Sequence, residues 1–191
     1  MAIMRIPATQ ANPSRPFVWG GAALLLMLPL VAMQFTREMR WDTADFVILG
    51  AMLFAACGTY EFAVRMSASI AYRAATGLAV LGAFSLVWLN LAVGMIGTER
   101  DAANLIYGGV LVVGVAGAIV ARGRPLGMAR AMTAVAGMQG LVAIIALLSG
   151  SGAAVILDGF FVALWLASAR LFRKAGASGR GVSSARIAPI I

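Results

Sequence analysis

RAATGLAVLGAFSLVWLNLAVGMIGTERDAANLIYGGVLVVGVAGAIVARGR, residues 73–124, holds two long apolar runs separated by one short charged break. Ala74–Gly97 and Ala103–Ala121 each meet the requirement of about 20 apolar residues for a helix crossing a bilayer core about 30 Å thick. Glu99, Arg100 and Asp101 fall between the runs, and Arg73, Arg122 and Arg124 flank them. Long apolar runs with charges gathered at their ends predict a membrane hairpin.

The rest of the chain repeats this pattern. Its 191 residues are 62% hydrophobic and 12% charged, with a mean hydropathy of +0.94. Soluble domains carry about a quarter charged residues. Six runs qualify as spans: Phe17–Phe35, Asp45–Val64, Ala74–Gly97, Ala103–Ala121, Ala131–Leu148 and Ala154–Phe172. The last contains Asp158. The connections leave no room for a soluble domain, so the sequence predicts an all-α fold: a polytopic membrane protein built as a six-transmembrane-helix bundle over residues 17–172. Phe17–Phe35 is too long for the core of a signal peptide and no A-x-A cleavage pattern follows it, so it is expected to be an anchored first helix. Residues 1–16, with three prolines, and the basic residues 173–191 are expected to be disordered cytoplasmic tails.

Cation placement orients the bundle. With the amino terminus cytoplasmic, the inner segments hold Arg5, Arg15, Arg65, Arg73, Arg122, Arg124, Arg130, Arg170, Arg173, Lys174, Arg180 and Arg186. The outer loops then hold Arg37, Arg40 and Arg100, together with Glu38, Asp42, Asp45, Glu99 and Asp101. Counting Lys and Arg gives twelve inside against three outside, which predicts both termini in the cytoplasm of a bacterial inner membrane and an even number of spans. The net charge of +8 therefore serves topology, and no nucleic-acid partner is expected. The basic tail from Arg170 would lie near the anionic inner leaflet.

A shift of 57 residues aligns Arg65 with Arg122, Arg73 with Arg130, Ala74 with Ala131, Thr76 with Thr133 and Ala79 with Ala136. This is a weak parallel repeat, and the positive-inside rule alone would place the arginines.

Reactive chemistry is sparse. Histidine is absent and Cys57 is the one cysteine, which excludes histidine-ligated metal or haem, a histidine base and an intramolecular disulfide. No metal and no cofactor is expected. The glycines at 108, 109, 114 and 117 lie within a span and lack the Walker lysine spacing, so they make no phosphate loop. They smooth the fourth helix, which suits a central position.

Each polar group inside a span needs a reason, because it is costly in hydrocarbon. Asn90 shares a helical face with Ala83, Gly94 and Gly97. That face suits helix packing with an amide across the contact, or a ligand contact in the outer half of the bundle. Asp158, one turn inside the outer end of its helix, shares a face with Phe161, Val162 and Trp165. Asn90 and Asp158 lie at similar depths and are candidates for one outward-facing polar pocket. Glu61 precedes Arg65 at i,i+4, the favourable order for an ion pair; a proton relay is the alternative. Gln139 lies among Thr133, Ala136, Gly137 and Gly140 and is expected to bond across a small-residue seam. Trp19, Trp41 and Tyr72 fit an interfacial aromatic belt, whereas Trp88 and Trp165 read as packing residues.

The run Trp88-Leu-Asn-Leu-Ala-Val-Gly94-Met-Ile-Gly97-Thr-Glu99, then Ala103-Asn104-Leu-Ile-Tyr107, together with the turn Ala121-Arg122-Gly-Arg124-Pro125-Leu-Gly127-Met-Ala-Arg130, resembles segments of small multi-pass bacterial inner-membrane proteins to which no activity attaches. The resemblance covers about residues 40–150 and implies membrane location only.

Two functions fit these residues. One is a non-enzymatic structural or accessory protein that packs, through its small-residue faces, with the bilayer and with itself or another membrane complex. The other is a small-solute or ion transporter working through Asn90, Asp158 and Glu61. With no histidine, no serine paired with a basic partner and no carboxylate pair at helical spacing inside one span, an enzyme is not expected.

Overall fold

A computed structural model of the chain describes residues 15–36, 40–92 and 102–185. Among these residues there are six α-helices, one 3-10 turn and no strand. The helices are α1 (Arg15–Phe35), α2 (Thr43–Met66), α3 (Ile70–Ala92), α4 (Ile106–Ala121), α5 (Pro125–Leu148) and α6 (Gly152–Ala185), and the 3-10 turn Ala102–Leu105 leads into α4. Five of the six are long and apolar enough to cross a membrane; α4, at 16 residues, is shorter. The architecture is that of an apolar helical protein compatible with integration into a bilayer.

Local signals fix the helix ends. Asp42 and Asp45 form a reciprocal capping box at the start of α2. The Asp45 amide donates to Asp42 Oδ1 and the Asp42 amide donates to Asp45 Oδ2, both at 3.0 Å. Ser69 Oγ accepts the Tyr72 amide one turn into α3, satisfying a first-turn donor. Proline opens α5, where its missing N–H costs nothing. Arg122 ends α4 in the left-handed region (φ 48°), followed by Gly123 at φ 72°. A Cβ on Gly123 would also lie 2.2 Å from Met66 Cε, so conformation and crowding both select glycine there.

Contacts divide the chain into two compact units, Met1–Glu61 and Phe62–Ile191. In the first unit, Leu49, Leu53 and Cys57 form a buried i,i+4 stripe on α2. The Cys57 thiol points at the Val18 carbonyl of α1 at 3.8 Å, and Trp19 of α1 meets Phe54 edge-on at 5.5 Å. In the second unit α5 packs against both α4 and α6, and α6 packs against α3. Alanines dominate the buried positions of α5, which lets its neighbours approach closely.

Several expectations are revised. The central helices of the second unit are α5 and α6, not α4. The glycines of α4 face one neighbour: Gly109 meets Met138, Gly114 meets Val135 and Gly117 meets Ala131 of α5, while Gly108 faces open space. Val112, Val115, Ile119 and Val120 are exposed on α4. Tyr72 is not part of an interfacial belt. It is 2% exposed and packs edge-on against Phe172 with ring centres 5.1 Å apart. The tail expected to be disordered from residue 173 is instead helical as far as Ala185. Phe172 and Ala175 are buried, and Gly176 lies against Pro125 and Leu126 of α5. Packing on α5 thus holds α6 past the point where composition alone would end it. In the 57-residue register Arg65 lies inside α2 whereas Arg122 lies in a turn, so the aligned hairpins differ at that turn.

Candidate functional site

Unit two contains a closed polar network drawn from three helices. Asp158 of α6 is the one carboxylate in residues 102–191, and its relative exposure is 0%. Its Oδ1 accepts a hydrogen bond from Gln139 Nε2 of α5 at 2.7 Å. Its Oδ2 accepts one from the Tyr107 hydroxyl of α4 at 3.3 Å. Gln139, also 0% exposed, has its Oε1 facing Trp165 Nε1 of α6 at 3.5 Å. The carboxylate needs a donor and the indole needs an acceptor, so together they determine which way the Gln139 amide points.

Helical spacing makes the arrangement possible. Asp158 and Trp165 stand seven residues apart, two turns, and share the buried face of α6. Phe161, between them on that face, is 1% exposed. On α3, Gly82 admits Trp165: a Cβ there would sit 2.6 Å from Leu164 Cδ2 and 2.9 Å from Trp165 Cη2. One turn beyond Trp165, Ser168 Oγ donates to the Ala75 carbonyl of α3 at 2.8 Å and is fully buried. α6 is therefore bonded through side chains to α3, α4 and α5.

Asn90 and Asp158 do not share a hydrogen bond. Asn90 Nδ2 donates to the Asn104 carbonyl in the 3-10 turn at 3.1 Å, linking the end of α3 to the approach to α4. With Asp158 wholly buried, the expected outward-facing pocket has no opening onto that carboxylate. Gly94 and Gly97, expected to pack beside Asn90, lie outside the described residues.

Glu61 finds partners on α1. Its Oε1 is 3.2 Å from Arg15 Nε, and its Oε2 accepts the Trp19 indole N–H at 3.1 Å. Arg65 lies one turn further along α2. The i,i+4 spacing pointed to Arg65 alone, because a sequence pattern within one helix carries no information about a neighbouring helix. Tyr107 and Trp165 were likewise missed as polar partners: in an apolar run, their ring bodies read as core and their hydroxyl and N–H groups are hidden.

Among the described residues, no buried side-chain nitrogen or oxygen lacks a hydrogen-bond partner. Among the same residues, no group of three or more Cys, Asp or Glu side chains is placed to hold a metal ion. Comparison with protein-family models, with curated proteins and with solved structures finds no match to this chain.

Proposed function

We propose that this chain is a non-enzymatic integral membrane protein with a structural or accessory role, packing through its helix faces with itself or with another membrane complex. The observation that carries this reading is the burial and internal bonding of the Tyr107–Gln139–Asp158–Trp165 network. A transport site is reached by its solute, whereas here the carboxylate is fully buried and each of its oxygens accepts a bond from a protein donor. Such cross-helix bonds serve as glue in membranes, contributing about 0.6–2 kcal/mol each. Large apolar side chains on α1 and α2, Phe17, Leu24, Leu28, Phe35, Val47, Phe54 and Phe62 among them, are exposed and suit contact with lipid or a partner helix.

The finer reading has six spans with both termini in the cytoplasm of a bacterial inner membrane. The length of α4 is consistent with it: 16 helical residues rise about 24 Å, and the four-residue 3-10 turn adds about 8 Å. Several described basic residues also gather near the α4–α5 turn of the second unit. The α4–α5 turn carries Arg122 and Arg124, Gly176 of α6 packs on Pro125, and Arg173 bonds Thr133.

Purification from native membranes in mild detergent, paired with flux assays in proteoliposomes, tests the role. Stoichiometric recovery in one larger assembly, with no solute or proton flux from the isolated chain, is expected. Flux that is abolished by Asp158→Asn would establish the transporter alternative instead.

A further inference from the structure

We propose that the groove between the end of α4 and the start of α5 binds the headgroup of an anionic phospholipid. The groove has a volume of about 890 Å³ and is lined by Arg124 and Arg130 together with apolar residues that include Val120, Leu126, Ala131 and Ala175. Its composition is that of an amphiphile site, with two cations beside a wall of aliphatic carbon. Small residues make the recess, since Gly117 lies so close to Ala131 that a Cβ would fall 2.7 Å from the alanine's own.

The charge is unbalanced. Both arginines are exposed, and among the described residues no hydrogen bond or ion pair holds either guanidinium. Asp158, the only carboxylate in residues 102–191, is buried and bonded to Tyr107 and Gln139. A phosphodiester would fill this deficit, since guanidinium forks bind phosphate oxygens in paired hydrogen bonds. Arg124 also stands at the N-cap of α5, where no side chain caps the first-turn amides; those N–H groups add to the attraction for an anion. A second cavity of about 340 Å³ carries the cationic surface onward, lined by Ile119, Val120, Arg122 and Arg124. Exposed Ile119 and Val120 give acyl chains an apolar path along α4. A soluble anion would use the arginines but leave this apolar wall without a role, so the geometry favours a lipid.

The inference rests on the membrane reading of the chain, but not on its orientation, because binding is read in micelles. The test uses the full chain in neutral detergent, with dioleoyl phosphatidylglycerol, dioleoyl phosphatidylcholine and inorganic phosphate as probes and native mass spectrometry as the readout. Phosphatidylglycerol is expected to bind in preference to phosphatidylcholine. Arg124→Gln/Arg130→Gln should weaken it by about tenfold or more. Arg170→Gln/Lys174→Gln removes the same charge outside the groove and should weaken binding much less than the groove pair. Arg124→Lys/Arg130→Lys keeps the charge and should keep most of the preference even if the glutamine variant fails to fold. Equal losses in both glutamine pairs, equal binding of the two lipids, or displacement of phosphatidylglycerol by inorganic phosphate would each overturn the proposal.

Discussion

Gln139 of α5 and Asp158 of α6 are joined by a 2.7 Å hydrogen bond from amide nitrogen to carboxylate oxygen, and neither residue has any exposed surface. Their hairpin turn, residues 149–151, makes this meeting geometrically natural. Asp158 lies about 9 Å from the start of α6 and Gln139 about 14 Å from the end of α5 at 1.5 Å per residue. Both therefore lie on the same side of the bundle, close enough in depth for their side chains to reach one another.

That bond predicts non-additive mutational costs. In a double-mutant cycle of Gln139→Leu and Asp158→Leu, unfolding by SDS in mixed micelles is expected to give a coupling of about 0.6–2 kcal/mol. Asp158→Leu alone should be the most damaging single change, because it leaves the Tyr107 hydroxyl and the Gln139 amide without their acceptor at about 1–3 kcal/mol for each buried group. Asp158→Asn should cost less, since an amide keeps one acceptor and the Tyr107 hydroxyl can itself accept. Strict additivity of the two leucine variants would show that the bond contributes nothing.

Glycines at apparently similar positions should respond differently. Gly82→Ala would place a methyl group 2.6 Å from Leu164 and 2.9 Å from Trp165, which calls for a shift of α6 or an off-rotamer tryptophan. A loss of about 1–3 kcal/mol is expected. Gly137→Ala meets nothing within 4 Å and should be neutral, or stabilising by up to about 1 kcal/mol through helix propensity. Thermal melting in detergent distinguishes the two. A Gly82→Ala chain as stable as the parent would mean that α3 approaches α6 less closely than described.

The Glu61 cluster should be held more by its indole contact than by its ion pair. Arg15 is largely exposed while Glu61 is mostly buried, so the pair contributes about 0.5 kcal/mol and fades with salt. Glu61→Gln retains an oxygen for the Trp19 N–H and should leave Trp19 nearly undisturbed. Glu61→Leu strands that donor and should shift its emission, read with Trp19 as the sole tryptophan. Identical spectra for the two variants would argue against the Trp19–Glu61 bond.

The helices were legible in the sequence because bilayer thickness imposes a length on apolar runs and Lys and Arg mark their ends. The Asp42–Asp45 capping box is also legible in the three-residue spacing of its two carboxylates. The neighbours of each helix were much less legible. The glycines of α4 announce a smooth face but not how many helices use it, so its central position was a wrong inference. Pairing Asp158 with Asn90 rested on depth alone. The hairpin relation to Gln139 is the stronger signal, because the short turn at residues 149–151 brings α5 and α6 side by side. The position of Tyr72 near a helix end suggests the membrane surface, yet α6 runs far enough to bury it against Phe172.

The disposition of the turns yields the most direct test of the six-span topology. Cys57 is the one cysteine and is 6% exposed, so a Cys57→Ala background gives a clean host for single-cysteine reporters. Ser151 lies in the α5–α6 turn, and Ser178 is an exposed residue of α6 beyond the Lys174 carbonyl that its hydroxyl bonds. If α6 crosses the membrane, the two lie on opposite sides. The proposed orientation, with both termini cytoplasmic, puts Ser178 on the cytoplasmic side. A membrane-impermeant maleimide added to spheroplasts should therefore label Ser151→Cys at once and Ser178→Cys only after permeabilisation. A reporter replacing Arg122 in the α4–α5 turn should behave like Ser178→Cys, because Gly176 packs on the first residue of α5. Labelling of both Ser151→Cys and Ser178→Cys in intact spheroplasts would mean that α6 does not span, and the chain would then have an odd number of crossings.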